Sequence, residues 1–335
     1  MFNVAIIGGG IIGLSTATVL QDHLKSSVQI TVFTEKVSPN TTGDVSAGLW
    51  THFLVDDEDL EKIRRWGKQT HDRFFDLWRS GYANDTGIIF HPVKLMMKHG
   101  GPSSNSTTVF GEHPMSKDQV EEVNQALKTH FPAGVTYVTF ACQISKYLPF
   151  LQIKFVENGG KIELKKISNL EELRGYDIIV NCTGIGATAL TVDTKLSPLR
   201  GQIIRVNAPW QFSTTLTDTT YIVSNEDKVI LGGTAQIGDY GTEVRTSDAE
   251  RILHNTSNLV PSLKNAEIVS HMVGLRPGRN GIRLETEIRN INGRNVPVVH
   301  NYGHGGSGVT LSYGSALATL QHITEILNTF PKSKL

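Results

Sequence analysis

The sequence predicts an α/β chain in two parts, one built on a parallel sheet and discontinuous along the chain, the other rich in antiparallel strands. Three observations carry this prediction. VAII, residues 4–7, is a short β-branched and apolar run that leads directly into GGGIIG, residues 8–13. YDIIVNCTG, residues 176–184, again reads as a buried strand ending in a glycine turn. Residues 202–206 and 221–233 instead alternate apolar and polar positions between polar turns, the pattern of antiparallel strands.

Taken in order, the first strand is followed by a helix with apolar positions Leu14, Ala17, Val19 and Leu20, then by a strand in which Val28, Ile30 and Val32 alternate with Gln29 and Thr31. The glycines therefore sit at the strand-to-helix turn of a β-α-β unit. Gly8 allows the tight turn, Gly10 lets a pyrophosphate approach the backbone, and Gly13 lets helix and strand pack closely. The helix opening at Ile11 and Ile12 presents free N–H groups and the positive end of its dipole to phosphate. Glu35, about 20 residues past Gly13, is placed to accept hydrogen bonds from ribose hydroxyls. The unit predicts a bound dinucleotide, FAD or NAD, because Glu35 disfavours the 2′-phosphate of NADP despite Lys36 beside it.

Residues 60–78 predict a helix with Ile63, Trp66, Phe74, Phe75 and Leu77 as its apolar positions, and the Ser/Asn/Thr stretch 103–108 predicts a loop. Because residues 176–184 return to the parallel sheet, the nucleotide domain is assigned to residues 1–50, 140–190 and 285–335. Residues 51–139 and 191–284 form the substrate-binding and interface domain. LRPGRNGIR, residues 275–283, holds Arg276, Arg279 and Arg283 with little acid to pair them, so one of the three is expected to meet an anion through its planar fork. VVHNYGHGGSGVT, residues 298–310, carries His300 and His304 four apart, but Gly303, Gly305, Gly306 and Gly308 argue against a helix and no third metal ligand follows. This stretch predicts a backbone cradle, no metal, and a following helix that holds Leu317, Leu320 and Leu327.

Composition narrows the function classes. At 335 residues and 39% apolar content the chain can fill a sizeable core. Lys+Arg 32 balances Asp+Glu 32, so no global basic field exists to hold nucleic acid or an anionic membrane, and neither is expected as a partner. Cys142 and Cys182 belong to no CxxC or Cys/His cluster and fit a reducing compartment. The glycine-rich apolar start reads as folded core rather than a membrane span. Ser333, Lys334 and Leu335 match a peroxisomal address read by an import receptor. A homodimer is left open.

The stretches IIGGGIIGLS, TTGDVSAGLW, NCTG, RGQIIRV, LGGT, GLRPGRNGIRLE and VVHNYGHGGSGVTLSYGSA together resemble the FAD-dependent D-amino acid oxidases, with the D-aspartate oxidases as close relatives, across residues 6–316. The last stretch matches H-x-Y-G-x-G-G-x-G followed by G-x-A at Gly314 and Ala316. The resemblance implies a Rossmann-type FAD-binding domain joined to an antiparallel β-sheet domain that covers the flavin. It implies oxidation of a D-amino acid to an imino acid, which water converts to 2-oxo acid and ammonia while oxygen becomes hydrogen peroxide. Peroxide production gives the peroxisomal address a reason.

Carried over by resemblance, the FAD shell is Gly8, Gly10, Ile11, Ile12, Gly13, Glu35, Lys36, Thr41, Thr42, Gly48, Leu49, Ile167, Thr183, Gly305, Gly306, Gly308, Val309 and Thr310. Arg276 falls on the carboxylate-binding arginine, Tyr221 on the tyrosine that assists it, and Gly306 on the glycine whose carbonyl receives the amine. These aim the α-hydrogen at the flavin. No general acid or base is assigned, because the lone pair of a neutral amine drives C–H cleavage and the flavin carries the redox chemistry. Thr217 stands where mammalian-type relatives carry a mobile tyrosine; Thr51, His52 and Phe53 replace a Gln-Pro-Tyr lining the pocket, and Tyr313 replaces a tryptophan. Ala235 stands where the D-aspartate oxidases place arginine directly after LGGT. These departures predict neutral D-amino acids as substrates, with a protonated His52 as the one group able to attract a second carboxylate. A D-aspartate oxidase and a sarcosine- or glycine-oxidase-like enzyme are the alternatives.

Overall fold

Val4, Ala5 and Ile6 are completely buried, and the strand that holds them, Phe2–Ile7, lies inside a six-stranded sheet. It pairs in parallel with Val28–Thr34 on one side, Ala5 opposite Thr31, and with Ile178–Asn181 on the other. Lys161–Leu164 continues the sheet beyond Val28–Thr34, and Arg294–Tyr302 continues it beyond Ile178–Asn181, both in parallel. Arg283–Ile291 closes the edge as an antiparallel hairpin partner. The structure, a computed structural model, describes residues 1–98 and 108–329. Ser333, Lys334, Leu335 and all but Thr108 of the 103–108 loop expectation lie outside the described residues.

The unbroken apolar run of the first strand follows from burial on both faces. Val4 and Ile6 pack with Ala17 and Leu20 of the helix Ile11–Leu24, with Phe155, and with Ile323 and Ile326 of the helix Gly308–Thr329. Ala5 and Ile7, alternating to the other face, pack with Ile167, Leu170, Leu173 and Val298. Each fully buried Val or Ile contributes about 1.5–3 kcal/mol.

The second sheet has nine strands and is mostly antiparallel. Its long member Leu196–Asn207 contains the expected 202–206 strand and pairs with Glu267–Arg279 along most of its length. The expected 221–233 segment is a hairpin of Tyr221–Ser224 and Val229–Gly232, with Tyr221 opposite Gly232. Ile88–Met97 joins this sheet through Thr214–Leu216, in parallel, and through Ala133–Cys142. The helix Leu60–Arg79 begins where the Asp59 side chain accepts the Lys62 N–H at 2.9 Å. It crosses Gly308–Thr329 at Gly314, where any side chain would collide with the Trp66 backbone.

Candidate active site

A cavity of about 900 Å³ runs from the carboxyl ends of the parallel strands to the face of the second sheet. Open parallel sheets bind ligands at those strand ends. Gly8 follows the first strand, donates its N–H to the Phe33 carbonyl at 2.7 Å and has φ +112°, a region open to glycine. A side chain on Gly8 would strike the Cys182 carbonyl, whereas one on Gly10 would meet nothing within 4 Å. That free space lies before the first turn of Ile11–Leu24, which has no side-chain cap and no acid. Gly13 does not line the cavity; it brings the helix against the Gly8 carbonyl.

Around this turn the cavity wall includes Ile11, Ile12, Glu35, Lys36, Thr41, Thr42, Gly48, Leu49, Ile167 and Thr183. Glu35 Oε2 lies 3.2 Å from Lys166 Nζ, both well exposed, at the mouth. Asp44, fully buried, organises the 41–45 turn: it accepts the Thr41 N–H at 2.9 Å, the Thr41 hydroxyl at 2.7 Å and the Ser38 hydroxyl at 2.6 Å. Thr183 is held by the Asn181 side chain, which accepts its hydroxyl at 2.7 Å. On the far side, Gly305, Gly306, Gly308 and Val309 line the cavity at the start of Gly308–Thr329, a helix also without acid in its first turn. Two helix N-termini thus face one elongated cavity, one at a glycine turn and one at a glycine loop. The residues fit FAD: a pyrophosphate at the first terminus and an electron-rich ring at the second.

Thr310 is a correction. It does not line the cavity; its hydroxyl donates to the Thr51 carbonyl at 2.7 Å and accepts the Thr51 N–H at 3.3 Å. Ser307 grips Phe53 in the same way, accepting its N–H at 2.8 Å and donating to its carbonyl at 3.0 Å. The Gly306 N–H donates to the Leu54 carbonyl at 3.2 Å. Residues 51–54 are therefore strapped across the glycine loop, which places Thr51, His52 and Phe53 on the cavity wall.

Little acid to pair the arginines was the expectation for residues 275–283, and the structure corrects it. Arg279 Nε pairs with Asp193 at 2.8 Å, and Arg283 pairs with Glu285 at 2.7 Å and Glu287 at 3.2 Å. Asp193 is distant in sequence, and the two glutamates lie beyond the stretch. Arg276 alone of the three lines the cavity. Its Nη1 donates to the Thr234 carbonyl at 2.9 Å, and its guanidinium lies 5.6 Å over the Phe53 ring. The guanidinium also hydrogen-bonds Tyr221 and crosses the backbone of Gly201, where a Cβ would collide with it. Tyr221 in turn lies against Gly232 and Gly233, which leave room for its ring, and meets Phe53 edge-on at 6.1 Å. Burial pushes the Tyr221 phenol up while Arg276 draws it down, with a net rise, so it stays protonated at neutral pH. A planar donor fork, a phenol and an aromatic wall converge beside the glycine loop, an arrangement that binds a carboxylate.

The Arg276 platform is rigid from behind. Arg200, fully buried next to Gly201, donates to Asp248 (2.8 Å), Gln236 (2.7 Å), Gln202 (3.1 Å), and the carbonyls of Gly241 (3.0 Å) and Glu243 (2.6 Å). The Thr234 hydroxyl accepts the Gln202 N–H at 2.8 Å, fixing the residue whose carbonyl holds Arg276.

His300 is buried between neighbouring strands, Nδ1 at 3.3 Å from Asn181 Nδ2 and Nε2 at 3.2 Å from Glu287. His304 lines the cavity wall, and burial lowers it to about 3, so it is neutral. Among the described residues no group of three His, Cys, Asp or Glu could hold a metal ion. Sequence reasoning missed Asp44, Gly201, and the cavity-lining Leu95, Met97 and Asp218. Gly201 stands inside RGQIIRV, but what crosses it depends on a strand some seventy residues away.

A family model described as FAD-dependent oxidoreductase matches residues 3–321. The chain is 34% identical to human D-aspartate oxidase, over 99% of this chain and 98% of that one. It is also 34% identical to the D-amino acid oxidase of Dugesia ryukyuensis, over 97% and 98%. Among solved structures, glycine oxidase from Geobacillus kaustophilus superposes with a TM-score of 0.78 at 18% identity, over 97% of this chain and 95% of that one. That identity bears on fold alone.

Proposed function

Since this chain belongs to the FAD-dependent oxidoreductase family, we propose that its cavity oxidises D-amino acids, neutral ones in preference to acidic ones. The observation that carries the proposal is the Arg276–Tyr221 pair, set by Gly201 and Thr234 beside the glycine loop. FAD, when bound, supplies the two-electron acceptor that oxygen later restores, giving hydrogen peroxide. The pyrophosphate is assigned to Gly8, Gly10 and the first turn of Ile11–Leu24, the ribose to Glu35, and the ring to Gly48, Leu49, Gly305, Gly308 and Val309.

Arg276 binds the substrate carboxylate through its fork and Tyr221 donates its hydroxyl to the same group. The Gly306 carbonyl accepts from the substrate amine, and Phe53 excludes water over the guanidinium. Three fixed points select one hand of the α-carbon. With the amine neutral, its lone pair drives loss of the α-hydrogen as hydride, and the imino acid takes up water to give 2-oxo acid and ammonia. No side-chain base is needed.

The preference for neutral substrates is supported by charge. Of the cations on the cavity wall, Lys36, Lys165 and Lys166 stand near Glu35, which leaves Arg276 for the substrate. Ala235 brings no second positive charge, and Asp218 adds a negative one. The similarity to human D-aspartate oxidase keeps the acidic alternative in view, with His52 on the wall as its one support. Anaerobic mixing of the FAD-loaded protein with D-alanine, D-methionine, D-aspartate and their L-forms tests this directly. Bleaching of the flavin band by neutral D-forms is expected. Faster bleaching by D-aspartate would overturn the preference, and bleaching by L-forms would overturn the assignment.

A peroxisomal location is proposed on Ser333, Lys334 and Leu335 and on the peroxide product. An amino-terminal fluorescent fusion should gather at peroxisomes and disperse when these three residues are removed. Sedimentation of the holoprotein reads whether it pairs as a homodimer.

A further inference from the structure

We infer that the side-chain end of the cavity is built for cationic D-amino acids, with an apolar wall for the methylene stem and Asp218 as the acceptor of the charged head. The inference rests on the reading of the cavity as a site of D-amino acid oxidation, and goes beyond it by assigning charge selection to one residue.

Register places the groups. Leu95 pairs with Leu216, and Leu216 pairs with Tyr221, so three cavity-lining residues form one row across three strands. Tyr221 marks the carboxylate end, since it is bonded to Arg276. Met97, two residues past Leu95 on the same face of its strand, and Asp218, in the turn that follows Thr214–Leu216, also line the cavity. Asp218 thus stands at most about 7 Å along the chain from Leu216, within the span of a four-carbon stem that ends in an ammonium group.

The carboxylate is held in place by a backbone donor. Asp218 Oδ2 accepts the Lys98 backbone N–H at 2.8 Å, which ties the hairpin tip to the neighbouring strand. Among the described residues Asp218 forms no ion pair. Lys94, in register with Thr215, alternates to the opposite face from Leu95 and Leu216. The turn itself is held without Asp218: Thr217 N donates to the Thr220 carbonyl at 2.8 Å and Thr220 N to the Thr217 hydroxyl at 3.0 Å. One negative charge at the end of the Leu95, Leu216 and Met97 wall attracts an ammonium or guanidinium and repels a second carboxylate.

The test compares D-lysine with D-norleucine, which share a stem and differ in the terminal ammonium. The readout is the ratio of their kcat/KM values on FAD-loaded enzyme and on Asp218→Asn, which keeps an oxygen acceptor for the Lys98 N–H. The ratio should fall about fivefold in the variant, the scale of a partly exposed charge pair. In the unsubstituted enzyme it should fall as salt rises from about 0.01 M to about 1 M, where the screening length drops from about 30 to about 3 Å. A ratio that responds neither to the substitution nor to salt, with D-norleucine still oxidised, overturns this inference alone. Failure of both substrates to bleach the flavin overturns the oxidase reading and this inference with it.

Discussion

Replacing Gly201 by alanine should disable substrate binding while leaving the fold and the cofactor site in place. Gly201 lies in Leu196–Asn207 with no positive φ, so its backbone accepts alanine. The new Cβ would fall under 3.0 Å from Nη1, Cζ and Nη2 of Arg276, where ordinary contact begins at 3.4 Å. The guanidinium is the flexible end of its side chain, so it withdraws by about 1 Å, the scale at which positioning errors cost about 100-fold in rate. The 2.9 Å bond to the Thr234 carbonyl is lost in that shift. A charge-assisted hydrogen bond is worth about 1.5–3 kcal/mol, so kcat/KM for D-alanine should drop about 10- to 100-fold, carried by KM. Benzoate, a carboxylate that can occupy the same fork, should weaken in parallel when titrated against the flavin spectrum, and FAD affinity should not change. Adding Gly201→Ala to Arg276→Ala distinguishes cause from coincidence: if the glycine acts by making room for the arginine, the double variant is no worse than Arg276→Ala. Additive losses, or an unchanged KM in the single variant, would refute the reasoning.

Further expectations concern the same frame. Tyr221→Phe removes one donor to the carboxylate and a partner of Arg276, and should raise KM about fivefold, an effect of about 1 kcal/mol, with kcat less affected; steady-state kinetics read it. Arg200→Met removes one of the two arginines that pair with Asp248 at 2.8 Å and leaves Arg251 and Gln236 on it, a loss of about 3 kcal/mol, so the melting temperature should fall by about 4 °C in calorimetry. Burial lowers His71 and His91 to about 4 and His304 to about 3, below the ordinary 6.5. The unfolded chain therefore binds protons that the folded chain refuses, so this stability is complete above about pH 6.5 and is lost as pH falls toward about 4. Unfolding free energies from urea titrations at about pH 7 and about pH 5 should differ by a few kcal/mol, and equal values would contradict the burial of these rings as neutral groups.

The parts legible in the sequence are those whose cause is local. The GGGIIG turn, the strands on either side of it and the helix Leu60–Arg79 announce themselves through spacing within a few tens of residues. The glycine loop before Gly308–Thr329 was legible for the same reason, as was the exclusion of a helical His pair. What could not be read is who meets whom. Nothing near Arg279 names Asp193 as its partner, and nothing near Gly201 shows that Arg276 lies across it. Thr310 reads as a cofactor ligand because it adjoins Gly308 and Val309, which line the cavity, yet one helical step turns its hydroxyl toward Thr51. Asp218 carries no local pattern; it reaches the cavity wall from the turn that follows Thr214–Leu216.

The order of strands in the six-stranded sheet has a consequence for how the protein comes into being. Phe2–Ile7 is made long before Arg294–Tyr302 and the loop at 303–308, and the cavity needs both. On a ribosome the β-α-β unit must wait, its apolar strands uncovered on the side that Ile323 and Ile326 will close, until those residues have emerged. FAD cannot recruit a nascent chain; it can only reward a finished one, by drawing the newly closed sheet further toward the folded state in proportion to its own concentration. A larger supply of the cofactor then raises the folded share of the newly made polypeptide.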